Sequence, residues 1–186
     1  MKRSKQKLEL LQHSRHDWLN KLQIIKGNLE LSNVDRARKI IDDIIIEARQ
    51  EAHLTSFGVP GFAEWLLTYN WYRTGPLKIG YEFMDQMNIP EHFDSVLLSW
   101  AESCAASLEQ AAPDSVDHEL YFIFQKEEDG CFSITVEFDG GELQQPPSSL
   151  VPKPDRAEVE WISDSRTSFT VQVKFSDENT EIESKK

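Results

Sequence analysis

A histidine followed by a carboxylate and an amide stands near the start of the chain, in the segment His16-Asp17-Trp18-Leu19-Asn20. An imidazole beside a carboxylate can be held in one tautomer, which leaves its other nitrogen free to act as a nucleophile. We therefore interpret His16 as the reacting group and Asp17 and Asn20 as its orienting neighbours. His13 lies three residues earlier, but no third ligand stands at metal-binding spacing, so the sequence predicts no metal site.

Two helices are predicted to position His16. Apolar or long side chains recur three and four residues apart between Ser4 and Leu31, and a second periodic run follows the turn signal Ser32-Asn33, which predicts an antiparallel hairpin. The predicted seam comprises Leu8, Leu11, Arg15, Trp18, Leu22, Ile25 and Leu29 of the first helix and Ala37, Ile41, Ile44, Ala48 and Ala52 of the second. A lone hairpin cannot cover this seam, so we expect a second copy to pack on it in a dimeric four-helix bundle.

The polar face that carries His16 lies nearly opposite the seam. At roughly 100° per residue, Asn20, Gln23 and Gly27 stack on the same side as His16. Apolar side chains flank this face, and glycine inside a helix costs about 1 kcal/mol relative to alanine. Both features favour a docking surface over a merely solvated face. The predicted partner-binding residues are Arg15, Leu19, Lys21, Gln23, Ile24, Gly27 and Asn28.

Composition and charge exclude several classes of protein. Residues 1–26 hold seven basic and two acidic side chains, a charge of +5. Because the formal net charge of the whole chain is −12, residues 27–186 carry a charge of −17. This balance argues against binding of nucleic acid or anionic lipid by the whole surface. No apolar run is long enough to span a bilayer and no signal peptide is recognisable, so we expect a cytoplasmic protein. The two cysteines, Cys104 and Cys131, suggest neither a disulfide framework nor a zinc site.

A different composition begins after Gly58, Pro60 and Gly61, which mark a linker. Periodicity there predicts helices over 62–72 and 94–112 and strands over 77–84, 120–125, 132–138, 159–162 and 169–175, with one helical turn in the proline-rich loop before 159. This order predicts an α+β fold, an α/β sandwich in which helices cover one side of a mixed sheet. The predicted domains are 1–56 for the hairpin, 57–178 for the sandwich, and 179–186 for a disordered tail.

The segment Ser14-Arg15-His16-Asp17-Trp18-Leu19-Asn20-Lys21-Leu22-Gln23, continuing through Ile24-Ile25-Lys26-Gly27-Asn28-Leu29, resembles the phosphoacceptor helix of the sporulation initiation phosphotransferases of endospore-forming bacilli. It is also similar to the histidine hairpin of citrate- and fumarate-type sensor kinases, which share a His-(Asp/Glu)-x-x-x-Asn core. The resemblance is dense from Leu10 to Ala52 and includes Asn70-Trp71. It implies a dimer of hairpins, followed by a degenerate histidine-kinase ATPase-like domain.

The sequence itself bears on whether such a domain could bind ATP. A working kinase domain of this type needs an asparagine-rich helix for magnesium and glycine-rich loops that cradle phosphate. The predicted helix contains no asparagine between Leu97 and Ala111, and no glycine follows Gly141. Asp139-Gly140-Gly141 is either a remnant of the adenine loop or a plain acidic turn. We therefore expect no nucleotide or other cofactor to be bound by this chain.

The resemblance implies a phosphorelay histidine phosphotransferase that works without ATP. In that role His16 would accept a phosphoryl group from the phospho-aspartate of a single-domain response regulator and pass it to the aspartate of a transcription-factor regulator. Mg²⁺ would sit in the regulator's acidic pocket, while Arg15 and Lys21 would offset charge beside the phosphoryl group. Two alternatives stay open, an ATP-dependent sensor histidine kinase core and a non-catalytic dimeric scaffold.

Overall fold

The computed structural model describes residues 2–128 and 131–176, with side chains from Leu8 onward. The chain divides into two compact units, residues 1–52 and 53–186. This division falls three residues before the end of the second helix, whereas the sequence pattern put the boundary after residue 56. The predicted disordered tail, 179–186, lies outside the described residues.

The first unit is the predicted helical hairpin. Helix α1 spans Lys2–Glu30 and helix α2 spans Val34–Thr55. The turn between them is closed by two backbone bonds, from Asn33 N–H to Asn28 C=O (2.8 Å) and from Ser32 N–H to Leu29 C=O (3.0 Å). These bonds make a Schellman cap, and Ser32 takes the left-handed conformation (φ 60°) that glycine usually occupies there. The turn signal read from the sequence is confirmed.

The hairpin leaves most of its apolar side chains in contact with solvent. Of the side chains described between residues 8 and 52, only that of Ala37 is buried. The exposed large apolar residues of the predicted seam are Leu8, Leu11, Trp18, Leu22, Leu29 and Ile41. One copy of the hairpin therefore lacks a core of its own, because burial of such side chains is what stabilises packed helices.

The second unit has the predicted mixture of helices and strands. Its helices are α3 (Pro60–Tyr72), α4 (Asp94–Ala111) and α5 (Pro147–Leu150), with a 3-10 turn at Glu91–Phe93. Its strands are β1 (Leu77–Phe83), β2 (His118–Lys126), β3 (Phe132–Asp139), β4 (Ala157–Asp164) and β5 (Ser168–Phe175). They form one sheet in the order β1-β2-β3-β5-β4, in which only the β1–β2 pair is parallel. The α+β fold class is confirmed.

The core of this unit lies between one face of the sheet and helices α3 and α4. Alternate residues of the central strands are fully buried, namely Leu120, Phe122, Phe124, Ile134, Val136, Phe138, Phe169, Val171, Val173 and Phe175. Phe122 meets the ring of Phe62 on α3 at 6.4 Å and that of Trp100 on α4 at 6.0 Å. This alternation makes the strands predictable from the sequence, since successive side chains of a strand point to opposite faces.

The other face of the sheet is polar. Tyr121 projects from it beside Glu119 and opposite Glu137 in the β2–β3 register. Partial burial, followed by the charges of Glu82, Glu119 and Glu137, raises the pKa of the Tyr121 hydroxyl. The phenol therefore stays protonated at neutral pH.

The side chains of Asn70 in α3 and of Arg73, which directly follows this helix, protect the β1 edge of the sheet. Asn70 donates from its amide nitrogen to Ile79 C=O (2.6 Å) and accepts from Ile79 N–H (2.9 Å), as a neighbouring strand would. Arg73 donates to the carbonyls of Gly75 (2.7 Å) and Leu77 (3.3 Å). Unpaired strand edges invite aggregation. Asn70 of the resembling pair Asn70-Trp71 thus has a structural role at this edge.

No helix in the described ranges is long and apolar enough to cross a membrane.

Candidate functional site

His16 lies on α1 with its side chain 74% exposed. Asn20, one turn further along the helix, places its amide nitrogen 3.2 Å from His16 Nδ1. Asp17 places its Oδ1 3.9 Å from the same nitrogen, which is longer than a hydrogen bond. Both neighbours predicted from the sequence therefore converge on one ring nitrogen, and the direct contact comes from Asn20.

The convergence on Nδ1 leaves Nε2 as the outward nitrogen of His16. For Nε2 to carry the reactive lone pair, the ring proton must be on Nδ1. The nearby Asp17 carboxylate favours that tautomer electrostatically. A half-turn of the Asn20 amide then presents its oxygen to accept from Nδ1–H, and the two amide orientations have nearly the same shape. The arrangement suits a nucleophilic Nε2 held in a fixed direction.

The predicted docking stripe is exposed beside His16. Leu19 and Ile24 are 51% and 52% exposed, and Gln23 is exposed between them. A Cβ built on Gly27 would meet no atom within 4 Å, so folding of this chain does not require a glycine there. The side-chain amide of Asn28 donates to Ile24 C=O at 2.8 Å, and its part in partner binding stays a prediction.

The two cations predicted to serve the reacting group differ in their placement. Arg15 is exposed next to His16 in the sequence. Lys21 instead forms an ion pair with Glu47 of α2, and its ammonium lies 5.7 Å from the ring centre of Trp18. Its charge is therefore directed to the helix pair, and its contribution to the phosphoryl site stays a prediction. No local pattern indicates this pairing, because Glu47 is 26 residues away along the chain.

One side of α4 is covered by the segment that follows β3. Trp100 donates from its indole nitrogen to Pro152 C=O at 2.9 Å, and α5 packs against α4. Leu143, Leu150 and Val151 are buried in the same core cluster as α4. The segment after Asp139 therefore covers the apolar face of α4 with side chains.

The glycines that follow β3 are explained by a buried histidine. His118 is 1% exposed, accepts at Nδ1 from Gly141 N–H (3.1 Å), and donates from Nε2 to Pro113 C=O (2.8 Å). The Gly141 contact fixes the proton on Nε2. A Cβ on Gly140 would collide with the His118 ring, and one on Gly141 with Pro113. Close packing against His118 and Pro113 therefore explains why glycine stands at positions 140 and 141 of this acidic turn.

Within the described ranges no three His, Cys, Asp or Glu side chains come together as a metal site. The thiol of Cys104 is buried in the core, and burial raises its pKa to about 12. It is therefore protonated and unreactive in the folded chain.

Residues 1–56 match the family model described as the alpha-helical domain of the SpoOB-type sensor kinase. Residues 58–147 match the one described as the C-terminal domain of sporulation initiation phospho-transferase B. A curated relative, sporulation initiation phosphotransferase B of Bacillus subtilis, is 34% identical over 113 residues. The match covers 61% of this chain and 58% of that relative, so the chain spans less than two thirds of its length.

Solved structures with a similar fold are distant. The histidine kinase domain of the Erythrobacter litoralis EL346 blue-light activated histidine kinase has a TM-score of 0.43 and 16% identity, covering 68% of this chain and 60% of that one. The catalytic domain of the histidine kinase ThkA has a TM-score of 0.41 and 8% identity, covering 61% and 90%. The two family models together span most of the chain, and the relative matches in sequence. The chain belongs to the family of SpoOB-type sporulation initiation phosphotransferases.

Proposed function

We propose that this chain is a phosphorelay phosphotransferase that carries a phosphoryl group on His16 between two response regulators. The observation that supports this most directly is the geometry of His16. Its side chain is 74% exposed on a helix, Asn20 contacts Nδ1 at 3.2 Å with Asp17 nearby at 3.9 Å, and the contact at Nδ1 leaves Nε2 as the nitrogen that would react. Membership of the SpoOB-type family supports the same role.

The proposed donor is an aspartyl phosphate on a receiver domain. The lone pair of His16 Nε2 attacks phosphorus in line with the bond to the aspartate oxygen, that P–O bond breaks, and the aspartate leaves as a carboxylate. In the second half, the carboxylate of another receiver attacks the phosphorus and His16 Nε2 leaves with its electron pair. Few catalytic side chains are needed, because both phosphoryl compounds are reactive and the helix chiefly orients the imidazole.

The packing of the second unit supports a protein donor over ATP. Leu143, Leu150 and Val151 bury against the helix that a kinase domain uses for nucleotide, and Trp100 is tied to the segment beyond α5. Gly140 and Gly141 pack closely against His118 and Pro113. In this proposal Mg²⁺ arrives in the acidic pocket of the regulator, and this chain contributes no ligand to it.

The charge of the hairpin favours an acidic partner. Residues 1–52 contain 11 Lys and Arg against 8 Asp and Glu, whereas residues 53–186 contain 9 against 24. A receiver pocket lined by carboxylates is attracted to the first unit and repelled by the second. Association should therefore weaken as salt is added.

We further propose that the chain acts as a homodimer through the exposed seam. Leu11, Trp18 and Leu22 are 67%, 46% and 56% exposed in the single chain, and Ile41 and Ile45 line the corresponding side of α2. A second hairpin would bury these side chains in a four-helix bundle and leave both His16 rings outside. Sedimentation equilibrium measures the mass directly, and Leu22→Glu should shift it from two chains to one.

The experiment that tests the proposed function uses the full chain and a response regulator labelled with ³²P on its aspartate. Wild type should take up label that is stable in base and lost in acid, as expected for phosphohistidine. His16→Gln should take up none, and His13→Gln serves as the matched control that should label normally. Incubation with γ-labelled ATP should give no label. Uptake from ATP but not from the phospho-regulator would contradict the proposal.

A further inference from the structure

The outer edge of the sheet at β4 has no neighbouring strand. Strand β4 (Ala157–Asp164) is the last strand of the sheet and pairs with β5 along one edge only. Within the described ranges, its backbone makes no hydrogen bond along the other edge. The opposite margin of the sheet differs, because Asn70 and Arg73 bond to the backbone of β1 there. The β4 edge therefore presents free N–H and C=O groups to which an extended chain can add.

Apolar side chains accompany these free backbone groups. Val159 and Trp161 pack against the core, where the Trp161 ring lies 5.6 Å from that of Phe169, yet both are only partly buried. Ile162 is skipped in the β4–β5 register at a bulge and is 64% exposed. No other large apolar side chain described in the second unit is as exposed. An added strand would therefore cover apolar surface that the single chain leaves in water.

The other face of β4 carries two exposed carboxylates. Glu158 and Glu160 are two residues apart in the strand, so both side chains project from its polar face. Lys174 lies across from Glu158 in the register, but its ammonium is 4.0 Å from Glu127 instead. Neither Glu158 nor Glu160 forms an ion pair with another residue in the described part of the chain. Their charges are therefore available to a partner.

The two carboxylates determine which kind of strand can add to this edge. Residues opposite each other in an antiparallel pair share a face of the sheet. A second copy added through β4 would thus set Glu160 against Glu158 or Glu160 of that copy, and like charges directly opposite each other are destabilising. A strand with Lys or Arg at the facing positions gains attractive pairs instead. The charge pattern therefore disfavours self-pairing and selects a basic strand.

We propose that the β4 edge binds an extended segment of a partner protein as an additional strand of the sheet. The segment has basic side chains at alternate positions, which face Glu158 and Glu160. The apolar side chains between them pack beside Val159 and Trp161. In this mode of recognition the backbone hydrogen bonds contribute affinity, and the alternating side chains give specificity. The binding uses no residue of the hairpin and is independent of the proposed phosphoryl transfer.

The test uses the full chain and a fluorescent synthetic heptapeptide that alternates Lys and Val and has blocked ends. By fluorescence anisotropy at low salt this peptide should bind, and it should slow hydrogen exchange at residues 157–164. The double variant Glu158→Lys/Glu160→Lys should bind it at least about tenfold more weakly and should bind the corresponding Glu-Val peptide instead. The matched control Glu64→Lys/Glu102→Lys makes the same change in net charge on α3 and α4, so its affinity for the Lys-Val peptide should stay within about twofold of wild type.

Two N-methylated peptides separate strand addition from a general attraction to an acidic surface. The N–H groups of successive residues in a strand point to opposite edges, so methylation of either the Val or the Lys amides blocks one edge and leaves every charge in place. One of the two methylated peptides should lose binding and the other should keep it. Equal affinity of both would overturn the proposal. Failure of the unmodified peptide to bind wild type, or an equal loss of affinity in the control variant, would overturn it as well.

Discussion

Gly27→Ala should make the protein more stable and less active at the same time. The residue lies inside α1, where alanine is favoured over glycine by about 1 kcal/mol. A Cβ at this position would meet nothing within 4 Å, so no packing penalty offsets the gain. The free energy of unfolding should rise by about 1 kcal/mol per chain, which urea denaturation monitored by circular dichroism at 222 nm can resolve.

The rate of phosphoryl transfer to Gly27→Ala should fall, although its stability rises. If a receiver backbone approaches α1 at Gly27, an added methyl group displaces it by about 1 Å, and a misplacement of this size can cost on the order of a hundredfold in rate. We expect kcat/KM for uptake of label from the phospho-regulator to fall at least about tenfold. Labelling of His16 by phosphoramidate, a small phosphoryl donor that needs no docking surface, should stay the same.

The matched control is Gly75→Ala, which places a methyl group in equally open space outside the helices and strands. Its transfer rate should equal that of wild type. A Gly27→Ala protein that is more stable and transfers phosphate at the wild-type rate would refute the proposal that a receiver backbone approaches α1 at Gly27. A less stable one would show that the glycine serves the fold.

Three further predictions concern the fold. His118→Phe keeps a ring beside Phe138 but leaves Gly141 N–H and Pro113 C=O without their hydrogen-bond partner. The free energy of unfolding measured in urea should therefore fall by about 2–4 kcal/mol. Ser32→Gly relieves the left-handed backbone at the hairpin turn and should add about 0.5–1 kcal/mol in the same assay, whereas a decrease would contradict the strain. Cys104, whose pKa burial raises to about 12, should resist iodoacetamide at pH 8 until denaturant is added, as peptide mass mapping would show.

Periodicity accounts for how much of the fold could be predicted. The hairpin, the five strands and α4 follow from spacings of three to four or of two residues, and the observed limits of the strands and of α4 differ from the predicted ones by at most two residues. The region around Gly58, Pro60 and Gly61 was read as a linker, but Pro60 begins α3. The N–H groups of Gly61 and Phe62 are capped by the carboxylate of Asp94, at 3.0 and 2.8 Å. A cap supplied from more than thirty residues away has no local signal.

Prediction of the site from the sequence is limited in the same way, because contacts between distant residues have no local signal. Helical phase predicted that His16 shares a face with Asn20 and Gly27, and that part of the geometry is observed. Asp17 and Asn20 are both predicted to orient the ring. Asn20 makes the closer contact, because side chains one turn apart on a helix meet more directly than sequence neighbours do. The pairing of Lys21 with Glu47 depends on how the two helices pack, which the pattern of either helix alone does not specify.

A reconstituted relay tests whether His16 carries phosphate from one receiver domain to another. Labelled first regulator, purified chain and unlabelled second regulator are mixed at low concentrations of the chain, and label on each protein is followed with time. Label should leave the first regulator, pass transiently through the chain, and accumulate on the second at many equivalents per chain. With His16→Gln no label should reach the second regulator. Accumulation at the wild-type rate with that variant would contradict the account.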